Sequence, residues 1–130
     1  MGFAVLRRSE IEGDLFIMLF SPLCSGSSGN ASYLEAGGVR LLVDAGVTAK
    51  RLRELMGMID LSPEGMDAIL ITHEHSDHVS GIGVLSRKYD IPVYAAAECW
   101  EHMPGSIGEI ATKNIRVFEP DRDFYLKQLC

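Results

Sequence analysis

His73, His75, Asp77 and His78 place three imidazoles and a carboxylate within six positions, directly after the apolar run Ala68-Ile69-Leu70-Ile71. Neutral imidazole and carboxylate are the donors that borderline cations such as zinc, manganese and iron accept. In extended backbone His73 and His75 leave the same face, so they can share one ion. Asp77 and His78 follow where the chain turns into a helix, and they can approach a second ion from another side. Hydrolytic two-ion sites hold their cations about 3.5–4 Å apart and lower the pKa of bound water to about 7. Asp77 is therefore also the candidate catalytic group, placed to orient that water or take its proton. A loop with ordinary surface or capping histidines has no need of four ligand-type residues in HxHxDH order behind a buried strand.

Other residues stand near enough in sequence to serve such a site. Asp44 closes the apolar run Leu41-Leu42-Val43. It has two readings: a turn aspartate pairing with local amides ahead of Gly46, or a carboxylate that hydrogen-bonds a ligating imidazole and raises its basicity. In the loop Ser25-Gly26-Ser27-Ser28-Gly29-Asn30, backbone N–H groups can line an anion site. There Ser27, Ser28 and Asn30 are the candidate substrate contacts, against a plain hairpin connection. Gly81 and Gly83 early in a helix cost about 1 kcal/mol each relative to alanine; close packing of that helix explains them. Arg87 and Lys88 read as a solvated face, Tyr94 and Trp100 as core, and His102 as surface. Cys24 reads as a semi-buried thiol, with metal ligation the lesser alternative.

These residues need elements to hold them. Leu15 to Leu23 reads as a strand, Ala31 to Ala36 as its return, and Gly37-Gly38 as a tight turn into Val39 to Val43. Thr48 caps a helix running to about Ile59, with Leu52, Leu55, Met56 and Ile59 on one face. Pro63 and Gly65 precede the strand Ala68 to Thr72. Asp77 is the expected N-cap of a second helix carrying Val79, Ile82, Leu85 and Tyr89. The strand Val93 to Ala96, a short helix over Glu98 to Met103 and the strand Ile115 to Phe118 follow, and another strand begins near Phe124. Strand–helix–strand units imply parallel pairing with helices outside; the meander adds antiparallel strands. The fold class is α/β, with a mixed sheet. Residues 1–17 read as an N-terminal appendage or a mis-called start before Met18, and 18–130 as the domain.

Composition narrows the function classes. The chain has 130 residues, 47% of them hydrophobic and 23% charged, with a net charge of −6. No broad basic face announces nucleic acid, although a bound cation can dominate the local field. Cys24, Cys99 and Cys130 form no CxxC pair, which points to a reducing cytoplasm. Three acids, Glu10, Glu12 and Asp14, separate Arg7-Arg8 from the next apolar stretch, unlike a secretory signal. No segment approaches the roughly 18 apolar residues of a membrane helix.

The chain resembles the metallo-beta-lactamase fold hydrolases. The resemblance is carried by His73-x-His75-x-Asp77-His78 and by Leu42-Val43-Asp44-Ala45-Gly46, and it runs from about Met18 to the carboxyl end. The Ser25–Asn30 loop, Gly81 to Tyr89 and Ile91-Pro92-Val93-Tyr94-Ala95 are similar to the YycJ-like branch of metal-dependent nucleases. That resemblance implies an αββα sandwich, of which this chain is the N-terminal half. It implies two divalent ions (zinc first, manganese or iron as alternatives) and a nucleic acid or other phosphodiester substrate. It also tips Asp44 toward the imidazole-supporting role. The family's later ligands have no match here: His102 lies outside any matching motif, and Asp121 and Asp123 match no bridging aspartate. The expectation is a truncated chain that holds metal and hydrolyses weakly. Self-association through an exposed sheet is a further expectation. Two alternatives stay open: a non-catalytic half-fold acting through a partner chain, and a thioester or lactam hydrolase.

Overall fold

The computed structural model describes residues 3–8, 15–26 and 29–119. Ser27, Ser28, Asp121, Asp123, Cys130 and the strand expected near Phe124 lie outside the described residues. In chain order the elements begin with strands β1 (Phe3–Arg8), β2 (Leu15–Cys24), β3 (Ala31–Ala36) and β4 (Val39–Ala45). Helix α1 (Ala49–Gly57), strand β5 (Ala68–Leu70) and helices α2 (Ser76–Val79) and α3 (Ile82–Tyr89) follow. Strand β6 (Val93–Ala96), helix α4 (Ala97–Glu101), 3-10 turns at Gly105–Ile107 and Thr112–Asn114, and strand β7 (Ile115–Phe118) complete the order.

The described strands lie in one sheet in the order of the chain, β1 to β7. Pairing is antiparallel from β1 through β4 and parallel from β4 through β7. The mixed sheet read from the sequence is thus present. Residues 3–8, inside the stretch read as an appendage, pair with β2 from Phe3 opposite Phe20 to Arg8 opposite Leu15.

Side-chain alternation along the parallel strands splits the sheet into two faces. Leu42, Ile69 and Val93 point one way and share a core with Leu52 and Met56 of α1, Val79 of α2 and Ile82 and Leu85 of α3. Their neighbours Leu41 and Ala68 join Val39 in a separate cluster, with Leu34, Leu70 and Tyr94 half-buried around it. That second cluster consists of strand residues alone. Tyr94 therefore sits on the strand-only face, whereas Trp100 is half-buried against the main core and donates its indole N–H to the Arg116 carbonyl at 2.9 Å.

Several boundaries differ from the sequence expectation. Strand β5 stops at Leu70 instead of Thr72, because the Thr72 N–H leaves the ladder for the Asp44 side chain, 2.8 Å away. The second helix is broken into α2 and α3, and His75 occupies the N-cap position expected of Asp77, which lies inside the first turn. Gly81 makes the break: its N–H donates to the Ala45 carbonyl at 2.8 Å, and a Cβ there would stand 2.1 Å from the Val47 oxygen. The last helix covers Ala97–Glu101 rather than Glu98 to Met103, as Pro104 follows closely. Thr48 caps α1 as expected, its hydroxyl accepting from the Arg51 N–H at 3.1 Å.

Candidate metal centre

The site lies at the carboxyl ends of β4 and β5, where open sheets with parallel strands characteristically bind ligands. Its centre is a backbone irregularity. Ala31 pairs with Ala45 and Ser32 with Val43, so Asp44 is an extra residue without a cross-strand partner. Such a bulge re-aims a side chain. Asp44 holds a φ of 64°, a left-handed conformation that aspartate tolerates better than most residues.

The re-aimed carboxylate is 5% exposed and gathers three donors. Its Oδ1 accepts from the Thr72 N–H at 2.8 Å and its Oδ2 from the Thr72 hydroxyl at 2.6 Å. Nδ1 of His78 lies 2.8 Å from the same Oδ2. All three partners lie far along the chain, so Asp44 does not serve the local turn. A carboxylate only accepts, so His78 carries a proton on Nδ1, and in the neutral ring Nε2 is left bare. That nitrogen stands 3.9 Å from Oδ2 of Asp77.

Asn30 fastens the serine–glycine loop to the same place. Its N–H donates to the Asp77 carbonyl at 2.8 Å, and its carbonyl accepts from the Gly46 N–H at 2.9 Å. Its side-chain Nδ2 reaches the Gly26 and Asp77 carbonyls, each at 3.1 Å, while Oδ1 accepts from the Gly26 N–H at 3.1 Å. The amide thus turns its N–H side toward Asp77 Oδ2 at 3.4 Å and His78 Nε2 at 3.5 Å. Gly46 makes this approach possible, since a Cβ there would stand 1.8 Å from the Asp77 carbonyl oxygen.

The two remaining histidines of the motif, His73 and His75, are exposed. The His73 ring centroid lies 4.9 Å from that of His78 and 6.2 Å from that of His75. Glu74, between them, accepts from the Cys99 thiol at 3.7 Å. The backbone N–H of Glu74 itself, then the thiol, hold its carboxyl below the usual range. Burial, then the Glu74 charge, push the Cys99 thiol up. Burial also raises Cys24, which packs half-buried against the main core. Among the described residues Cys24 and Cys99 are free thiols. His102 is exposed, and its Nδ1 donates to the Glu98 carbonyl at 2.9 Å.

Among the described residues no three His, Cys, Asp or Glu side chains stand close enough together to hold an ion. The donor chemistry nevertheless suits one: His78 offers a bare Nε2 beside the Asp77 carboxylate, with the His73 ring adjacent. A sequence profile of the metallo-beta-lactamase superfamily matches residues 25–127. This chain belongs to the metallo-beta-lactamase superfamily. It is 48% identical over 102 residues to Exodeoxyribonuclease WalJ of Streptococcus pneumoniae serotype 2, covering 77% of this chain and 38% of that protein. It is 46% identical over 99 residues to Exodeoxyribonuclease YycJ of Bacillus anthracis, covering 76% of this chain and 38% of that protein. The chain therefore spans less than two thirds of these relatives, 38% of each. The crystal structure of MEM-A1, a subclass B3 metallo-beta-lactamase from a soil metagenome library, superposes with a TM-score of 0.64 at 19% identity. That superposition covers 98% of this chain and 49% of the lactamase, so the chain has the fold of half that enzyme. The superfamily implies divalent metal ions.

Sequence reasoning gave Thr72 no role, although it supplies two of the three donors on Asp44. A hydroxyl directly before the first histidine was the available signal. Arg87, read as solvated, is exposed, and its guanidinium also donates to the Ile107 carbonyl at 3.1 Å and the Glu109 carbonyl at 2.6 Å. No described helix is long and apolar enough to cross a membrane.

Proposed function

We propose that this chain is the ligand-bearing half of a metal-dependent phosphodiesterase acting on DNA. The observation that carries the reading is the Asp44 carboxylate, which sets His78 with Nε2 bare beside Asp77. Relatives named exodeoxyribonucleases at 46% and 48% identity support the DNA substrate. In this reading His73 and His75 hold one ion, Asp77 and His78 a second, and Asp44 orients the imidazoles. Bound divalent ions, zinc first and manganese or iron as alternatives, would supply activated water at neutral pH and neutralise phosphate charge. Asp77 orients the water or takes its proton. Ser27, Ser28 and Asn30 are the proposed substrate contacts of the serine–glycine loop. Two free thiols among the described residues favour a reducing cytoplasm.

A second reading has its own observation. The lack of a three-donor cluster among the described residues favours a half-fold completed by further chain or by a partner. The 130 residues alone are then expected to hold metal weakly and turn over little. The test is hydrolysis of a labelled DNA strand by the longest natural form of the protein, with zinc or manganese and with chelator. Metal-dependent cleavage that disappears in Asp77→Asn, with the melting temperature nearly unchanged, is the expected result. Cleavage that survives either chelation or Asp77→Asn refutes the assignment.

A further inference from the structure

We infer that Thr72 is a positioning residue that fixes the proton of His73, so that one carboxylate, Asp44, orients two imidazoles. The inference deepens the metal reading and rests on it for its functional consequence. Its geometry stands independently. The Thr72 hydroxyl has one proton and two neighbours: Asp44 Oδ2 at 2.6 Å and His73 Nδ1 at 3.0 Å. The carboxylate has no proton to give, so the hydroxyl proton must go to Asp44. The hydroxyl can then only accept from His73, which places a proton on Nδ1 of that ring. Nε2 of His73 is left as a bare lone pair.

The same conclusion holds for His78, reached directly, since its Nδ1 lies 2.8 Å from that oxygen of Asp44. Two histidines whose ring centroids are 4.9 Å apart therefore share one tautomer, set by one buried group. His73 is exposed, and among the described residues its Nδ1 meets the Thr72 hydroxyl. The Thr72 N–H, held by Asp44 Oδ1 at 2.8 Å, keeps the hydroxyl in place. Groups of this kind behind metal ligands typically change metal affinity by about 10–100-fold when removed.

Thr72→Val removes the hydroxyl and keeps the shape, whereas Thr72→Ser keeps the hydroxyl. Two readouts are needed: the His73 tautomer from imidazole nitrogen shifts in metal-free protein at about pH 8, above the ordinary histidine range, and zinc affinity by competition with a chelating dye. The expected result is the Nδ1–H form in wild type and Thr72→Ser, and its loss in Thr72→Val with zinc binding weakened about 10–100-fold. Wild-type His73 found in the Nε2–H form overturns the inference before any variant is made. So does Thr72→Val with both readouts unchanged, or Thr72→Ser as weak as Thr72→Val. A wild type in the Nδ1–H form whose longest natural form takes up no zinc supports the relay and overturns the metal reading instead.

Discussion

Asp44 carries more of this site than any one ligand candidate, and its removal is correspondingly informative. Asp44→Ala leaves the Thr72 N–H, the Thr72 hydroxyl and His78 Nδ1 without their acceptor. It also puts alanine at a φ of 64°. Part-buried donors without partners cost about 1–3 kcal/mol each, less where water reaches them. We expect a loss of about 3 kcal/mol in urea unfolding. Asp44→Asn, which tolerates that backbone and keeps one acceptor oxygen, should lose about half as much; an Asp44→Ala protein as stable as wild type would show that the carboxylate is not the anchor. Cys99 provides a second residue-level test. Its thiol is raised by burial first and by Glu74 next, so less thiolate exists at any pH below that raised value. Alkylation followed by peptide mapping at about pH 8 should find Cys99 slower than an unperturbed thiol. Glu74→Gln should accelerate it; an unchanged rate would remove Glu74 from the cause.

At the scale of elements, glycines decide where loops can meet. A Cβ at Gly46 would stand 1.8 Å from the Asp77 oxygen, and one at Gly83 would stand 1.8 Å from the Ile107 oxygen. Both contacts are with backbone, which cannot swing aside, so alanine at either position should cost about 3 kcal/mol. Gly57 ends α1 with nothing within 4 Å of its would-be Cβ, and Gly57→Ala should gain about 0.5 kcal/mol. Thermal melting of the three variants checks the contrast, and a Gly46→Ala protein as stable as wild type would refute the close approach. The same elements show what could be read in advance. Val93–Ala96 and Ile115–Phe118 fall where their apolar runs and breakers placed them, because strand composition is a local property. The HxHxDH residues were legible as a group, and the fold sets the His78 ring beside Asp77 and His73. The bulge at Asp44 was not, since it exists only in the pairing of β3 with β4. The Thr72 link and the Asn30 fastening cross 28 and 47 residues respectively, distances at which no periodicity in the sequence speaks. Asp77 looked like a cap because its type suits one; the fold instead spends its carbonyl on Asn30.

For the molecule as a whole, the two sheet faces set the terms of association. One face is covered by α1, α2 and α3, and the other holds Val39, Leu41 and Ala68 ringed by the half-buried Leu34, Leu70 and Tyr94. Val39, Leu41 and Ala68 are themselves buried, so the apolar area still open to a partner is that of Leu34, Leu70 and Tyr94, and burying it returns about 25 cal/mol per Å². A net charge of −6 opposes association of two copies, but surface repulsion is screened within about 8 Å at physiological salt. Apolar burial should therefore prevail, and the 130-residue chain should self-associate through this face. Light scattering should give a mass above 14.3 kDa that rises with concentration and with salt. Leu70→Lys places a charge among the half-buried residues of the face without touching the helical core, so it should return the mass toward 14.3 kDa while leaving the melting temperature nearly unchanged. A wild-type chain that stays at 14.3 kDa at every concentration, or a Leu70→Lys chain that associates as strongly, would place the contact elsewhere or remove it. In a longer form of the protein whose added chain covers the face, the same substitution should instead lower the melting temperature, which separates packing within one molecule from packing between two.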